Sequence, residues 1–140
     1  MSGTQLDREC ASVFRGARGT RTFTSPRTVV EIKNDAFSGI VSLGAVVLSA
    51  GLKELGNKAF QETGVREITI PALLKRIRAS TFQGCRALRR ATFAEGSRLE
   101  AIEKSGFSGT AISEIAIPRG VAVIDNASFS GCRNLKKVAF

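Results

Sequence analysis

A mostly β repeat solenoid of about five to six coils, each of 22–25 residues, is the fold this sequence predicts. Three observations predict it. Phenylalanine recurs at Phe14, Phe37, Phe60, Phe82, Phe107 and Phe129, at intervals of 23, 23, 22, 25 and 22 residues. The residue types around each Phe recur with it. After each Phe from Phe37 onward comes an apolar trio with the spacing L-x-x-L-x-L. A period of this length marks short supersecondary units that cannot bury an apolar face alone and must stack on their neighbours.

Each element of the unit follows from its residues. Eight positions before Phe stand Val29, Leu52, Leu74, Leu99 and Val121, and five before it Ile32, Leu55, Ile77, Ile102 and Ile124. This short apolar stretch crosses the coil on one side. A small residue precedes Phe directly (Ala36, Ala59, Thr81, Gly106, Ser128), so the ring and a tight corner can share the space. Two positions after Phe comes Gly16, Gly39, Gly84, Gly109 or Gly131, which lets the backbone close the corner. Only the Phe60 unit departs, with Glu62 in that place. The trios are Leu43, Val46, Leu48; Val65, Ile68, Ile70; Leu88, Ala91, Phe93; Ile112, Ile115, Ile117; and Leu135, Val138, Phe140. Their closing x-L-x-L alternation is a strand with one face turned inward. Pro71 and Pro118 fall just past two of these strands, where a missing N–H does no harm.

Composition narrows the function. The 140 residues suffice for one domain with a real core, and 43% hydrophobic with 24% charged residues is globular. Nine Phe, no Trp, no Tyr and no His leave neither the commonest general base nor the commonest metal ligand. No metal-ligand cluster or nucleophile–base spacing appears, and the glycine-containing strings GARG and SGTAIS lack the lysine of a phosphate-binding loop. No catalytic residue, cofactor or metal site is therefore expected, and no enzyme. Residues 1–13 carry no apolar segment of a signal peptide, and no apolar run approaches the ~20 residues of a membrane span.

The units resemble the BspA-like, or Treponema pallidum-type, leucine-rich repeats. The segments LKELGNKAF (52–60), TFQGCRALRRATF (81–93) and SFSGCRNLKKVAF (128–140) carry the likeness, and FAEGSRLEAIEKSGF (93–107) resembles a longer variant of the unit. The likeness covers about residues 29–140. Residues 1–28 read as an N-terminal segment with a degraded first repeat, in which Leu6, Phe14, Gly16 and Phe23 fit but Glu9 stands where Ile is expected. The resemblance implies a recognition protein, surface-exposed or secreted, that binds other proteins. Cys85 and Cys132 occupy its Gly-Cys position and are expected to be buried and inert. Two coils apart, at ~10 Å, they lie beyond disulfide reach.

Two surfaces are candidates for binding. On the strand face the outward positions in register read Ala45, Glu67, Arg90, Glu114, Lys137 and, beside them, Val47, Thr69, Thr92, Ala116, Ala139. Glu67, Thr69, Arg90, Thr92, Glu114 and Lys137 form the candidate protein-binding strip. Their alternating charges serve equally as a self-neutralising ladder that stabilises the sheet. The second surface is the basic stretch Lys75, Arg76, Arg78, Arg86, Arg89 and Arg90, a candidate patch for nucleic acid or acidic polysaccharide in a chain of net charge +9. A structural spacer without a ligand is the third reading.

The sequence stops at Phe140, an inward position of the last strand, with no polar capping unit after it. That predicts either further chain or end-to-end pairing through unpaired strand groups. Sedimentation of the 140-residue chain is expected to show concentration-dependent association, and a monomer at high concentration would refute it.

Overall fold

The computed structural model describes residues 5–6 and 21–140. Among these residues there are twelve short strands and no helix. The even-numbered strands are the longer: β2 (Arg21–Thr24), β4 (Leu43–Val47), β6 (Glu67–Ile70), β8 (Arg90–Phe93), β10 (Glu114–Ala116) and β12 (Lys137–Ala139). Between them run two-residue strands: β1 (Gln5–Leu6), β3 (Glu31–Ile32), β5 (Glu54–Leu55), β7 (Arg76–Ile77), β9 (Ala101–Ile102) and β11 (Val123–Ile124). All pairing is parallel, as expected when each coil repeats the path of the one before. The repeat solenoid is thus the observed fold, with about five turns.

The repeated apolar positions form continuous inward rows. Leu43, Val65, Leu88 and Ile112 are fully buried, as are Leu55, Ile77 and Ile102. At the corner the rings of Phe37, Phe60, Phe82, Phe107 and Phe129 stack nearly parallel, with centroids 5.1, 5.8, 5.5 and 5.6 Å apart. The backbone tightens each rung: the amides of Phe37, Phe60, Phe82 and Phe107 donate to the carbonyls of Ala59, Thr81, Gly106 and Ser128 in the next coil, at 2.8–3.0 Å. The small residue before Phe therefore supplies both room and an acceptor.

Each corner bends through the left-handed region twice. Gly39, Gly84, Gly109 and Gly131 have φ of 72–79°, and Glu62 adopts 57° in the equivalent place. Two positions before Phe stand Asp35, Lys58, Ser80, Ser105 and Ala127, all with φ of 59–61°. The first bend is written in the sequence by glycine. The second is held by tertiary packing against residue preference.

The stack is not uniform. Even-numbered strands form ladders only as the pairs β2–β4, β6–β8 and β10–β12. Equivalent positions lie 23 residues apart within each pair (22 to 45, 67 to 90, 114 to 137). They lie 22 apart from Ala45 to Glu67 and 24 from Arg90 to Glu114, and there the ladder lapses. The boundary between the Phe60 and Phe82 coils lapses on the opposite side, since β5 and β7 fail to pair while β6 and β8 keep their register. Gly56, Glu103 and Asp125 each donate to the preceding coil at 2.8 Å, whereas the equivalent amide of Arg78 forms no such bond. Its guanidinium reaches Glu54 at 2.8 Å instead.

Expectations on Glu9, Phe14 and Gly16 lie outside the described residues. Leu6 pairs in register with Ile32, so Leu6 takes the place the spacing had given to Glu9. In the last coil Ile124, Val138 and Phe140 are 39%, 40% and 85% exposed, while their counterparts Ile102, Ile115 and Ile117 are buried.

Two substitutions test this packing. Phe82→Ala removes a ring with no exposed surface from the middle of the stack and should cost about 3–5 kcal/mol in chemical denaturation. Glu62→Gly should stabilise the chain by about 0.5–1 kcal/mol, because relief of a left-handed side chain outweighs the added freedom of the unfolded backbone. Loss of stability in that variant would show that the Glu62 side chain, which lies against Gly84, contributes more than its backbone costs.

Candidate functional site

Outward positions of the even-numbered strands make one exposed face. Strand alternation turns Ile68, Ala91 and Ile115 inward, so Glu67 and Thr69, Arg90 and Thr92, and Glu114 and Ala116 turn outward. Glu67 pairs with Arg90 and Glu114 with Lys137 in register, as the spacing predicts. The lapse between β8 and β10 opens a groove of about 940 Å³. Its lining includes Glu67, Arg90, Thr92, Glu114 and Lys137, five of the six residues proposed from sequence for the strip. Thr69 borders a smaller hollow of about 220 Å³ at the other lapse, with Val47, and Glu67 is common to both. Thr69 and Thr92 share a hydrogen bond of 3.2 Å between their hydroxyls.

The charges of the strip do not neutralise one another by contact. Among the described residues, ion pairs within 4.0 Å join Lys33 to Glu31, Arg76 to Glu103 and Arg78 to Glu54, and none involves Glu67, Arg90, Glu114 or Lys137. Exposed pairs at longer range contribute little in water.

The basic stretch is divided by the turn of the coil. Lys75, Arg76 and Arg78 lie on or beside β7 and line a shallow hollow of about 70 Å³ with Lys53 and Glu54. Arg89 and Arg90 line the strand-face groove. Arg86 is exposed in the turn between them and lines neither. Arg76 is held by Glu103 at 3.2 Å and Arg78 by Glu54. Contiguity in sequence therefore does not bring these six cations together. The structure instead places Arg66, Arg89 and Lys136 at the entrances of β6, β8 and β12, with Ser113 in the corresponding place before β10. The Arg89 amide donates to the Arg66 carbonyl at 2.9 Å and that of Lys136 to Ser113 at 2.8 Å. Sequence reasoning missed this row, and also the groove, whose signal was the long 25-residue interval before Phe107.

The thiols point away from both surfaces. Cys85 donates to the Phe60 carbonyl at 3.0 Å and lies 3.4 Å from the Thr63 hydroxyl. Cys132 repeats the arrangement on Phe107 and Thr110, at 3.0 and 3.3 Å. Burial pushes the Cys85 thiol above its ordinary range, opposed by its hydrogen bonds with Thr63, and keeps it un-ionised at neutral pH. Both are free, and Cys132 is only half-buried, because it sits in the exposed last coil. Among the described residues no group of His, Cys, Asp or Glu is arranged to hold a metal ion, and no helix is long and apolar enough to cross a membrane.

Comparison with known proteins agrees with this architecture. Residues 10–136 match the BspA type leucine rich repeat region in six copies. No curated protein matches the sequence. A leucine-rich repeat protein of Bacteroides ovatus is 29% identical and superposes with a TM-score of 0.78, over 85% of this chain and 33% of its own. The T. pallidum leucine rich repeat protein is 25% identical, with a TM-score of 0.77 over 86% of this chain and 69% of its own. A leucine rich cell surface protein of Faecalibacterium prausnitzii is 25% identical, with a TM-score of 0.68 over 96% of this chain and 42% of its own. The chain thus spans less than half of the B. ovatus and F. prausnitzii proteins. With the repeat matched along most of its length, the stacked Phe corners and the parallel strand face in place, this chain belongs to the BspA type leucine rich repeat family.

Proposed function

We propose that the chain is a non-enzymatic recognition module that binds protein through the strand face of its repeat stack, residues 29–140. One observation carries the reading: a hollow of about 940 Å³ lies on that face and is lined by charged side chains that form no ion pair among the described residues. Binding surfaces built on rigid repeats, with side chains left available, fit an extended partner without reorganising the scaffold. Membership of a repeat family supports the same class of role, and the F. prausnitzii protein, described as a cell surface protein, supports a surface location.

Polyanion binding across Lys75, Arg76, Arg78, Arg86, Arg89 and Arg90 draws less support, because these side chains sit on different sheets and two are engaged by carboxylates. A ligand-free spacer would have no use for the groove.

Site-specific crosslinking tests the proposal. A photoreactive phenylalanine analogue in place of Thr92 or Ala116 should capture a protein from extract of the source cells, and the same group at Lys104 or Arg119 should not. Equal capture from both sets of positions, or none from the strand face, would refute it.

A further inference from the structure

We infer that the strand-face groove takes an extended acidic segment of its partner, with two carboxylates about three residues apart. The inference rests on the strand face being the binding surface and specifies what that surface selects.

The first observation is charge. Arg89, Arg90 and Lys137 line the groove, and Arg66 and Lys136 stand exposed at the strand entrances beside it. Against these five cations the strand face sets two carboxylates, Glu67 and Glu114. Among the described residues none of the five is within 4.0 Å of a carboxylate, whereas Arg76 and Arg78 on the other side of the coil both are. A ligand anion here would be met by donors that need not first give up a partner.

The second observation is shape. The outward residues between the charged side chains are small, Thr92, Ala116 and Ala139, so the main chain of a ligand can approach closely. Arg90 and Lys137 are two coils apart, roughly 10 Å at strand spacing. An extended chain advances ~3.3 Å per residue, so carboxylates at positions i and i+3 match that separation.

The same geometry argues against other occupants. Glu114 lies between Arg90 and Lys137 in the coil order, so a polymer with a charge on every unit would place one against it. Nucleic acid would also lack stacking partners, since Phe93, itself half-buried, is the one aromatic side chain in the lining. A second copy of this chain would bring an equal excess of cations and a second hollow, opposing charge and filling neither cavity.

The test uses fluorescence anisotropy at moderate salt on the 140-residue chain. The probe is a labelled ten-residue Gly-Ser peptide with Glu at its fourth and seventh positions, alongside the same peptide with Gln. Heparin octasaccharide and a ten-nucleotide single strand of deoxythymidine serve as competitors. The Glu peptide should bind at least tenfold more tightly than the Gln peptide. Arg90→Ser with Lys137→Ser should reduce it to the Gln level, and Lys75→Ser with Arg119→Ser should leave it within twofold. Glu114→Gln should strengthen competition by the oligonucleotide. Failure to distinguish Glu from Gln, equal losses in the two double variants, or tighter binding of either polyanion through Arg90 and Lys137 would overturn the inference. If crosslinks from Thr92 and Ala116 persist while the Glu preference is absent, protein binding at the face stands and only its acidic selectivity falls.

Discussion

Everything in this molecule depends on one coil lying directly on the next. A single coil of about 23 residues has an apolar interior open above and below, and isolated it would lose more in chain entropy than it could recover. The corner Phe solves this at one point of the repeat. Its ring covers the ring below, and its amide is anchored on the carbonyl of the small residue in the adjacent coil. Apolar contact and directional bonding act on the same residue, which fixes both the spacing and the rotational register of the stack. The inward rows of Leu, Ile and Val then follow as consequences of that register.

The Gly-Cys position shows how tightly this register is enforced. The residue three after Phe is Ile40, Thr63, Cys85, Thr110 and Cys132 in successive coils. In two places a Thr hydroxyl and a Cys thiol meet across a coil boundary, and each thiol reaches the carbonyl of the Phe in the coil before. A small polar group is tolerated in the interior here because the corner leaves a carbonyl turned toward it. The thiol's chemistry is suppressed by that environment, so its use is geometric: it is small, polarisable and able to donate.

Much of this was legible in the sequence, because periodic side chains report directly on periodic contacts. The Phe interval, the trios and the corner glycines lead to the fold and to the outward register of Glu67, Arg90, Glu114 and Lys137. Two kinds of feature were not legible. The left-handed residues before Phe are Asp, Lys, Ser, Ser and Ala, and only the first of these types favours that conformation. The basic stretch was misleading for a different reason. Neighbours in sequence diverge when the coil turns between them, while Arg66 and Arg89, 23 residues apart in sequence, become neighbours in space. In a solenoid, surface chemistry runs down the columns of the repeat and is invisible to any window along the chain. Breaks in the ladder were only hinted at, by intervals that depart from 23.

The placing of the lapses has a mechanical meaning. Between the Phe37 and Phe60 coils the longer strands part while β3 and β5 pair; between the Phe60 and Phe82 coils β5 and β7 part while β6 and β8 pair. Between the Phe82 and Phe107 coils the order reverses again, with β7 and β9 paired. At each of these boundaries one ladder is whole, and the Phe corner is bonded besides. Joints offset in this way are those of brickwork, in which no crack runs straight through. Pulled or bent by a tethered partner, the rod would spread the strain over several coils instead of folding at one.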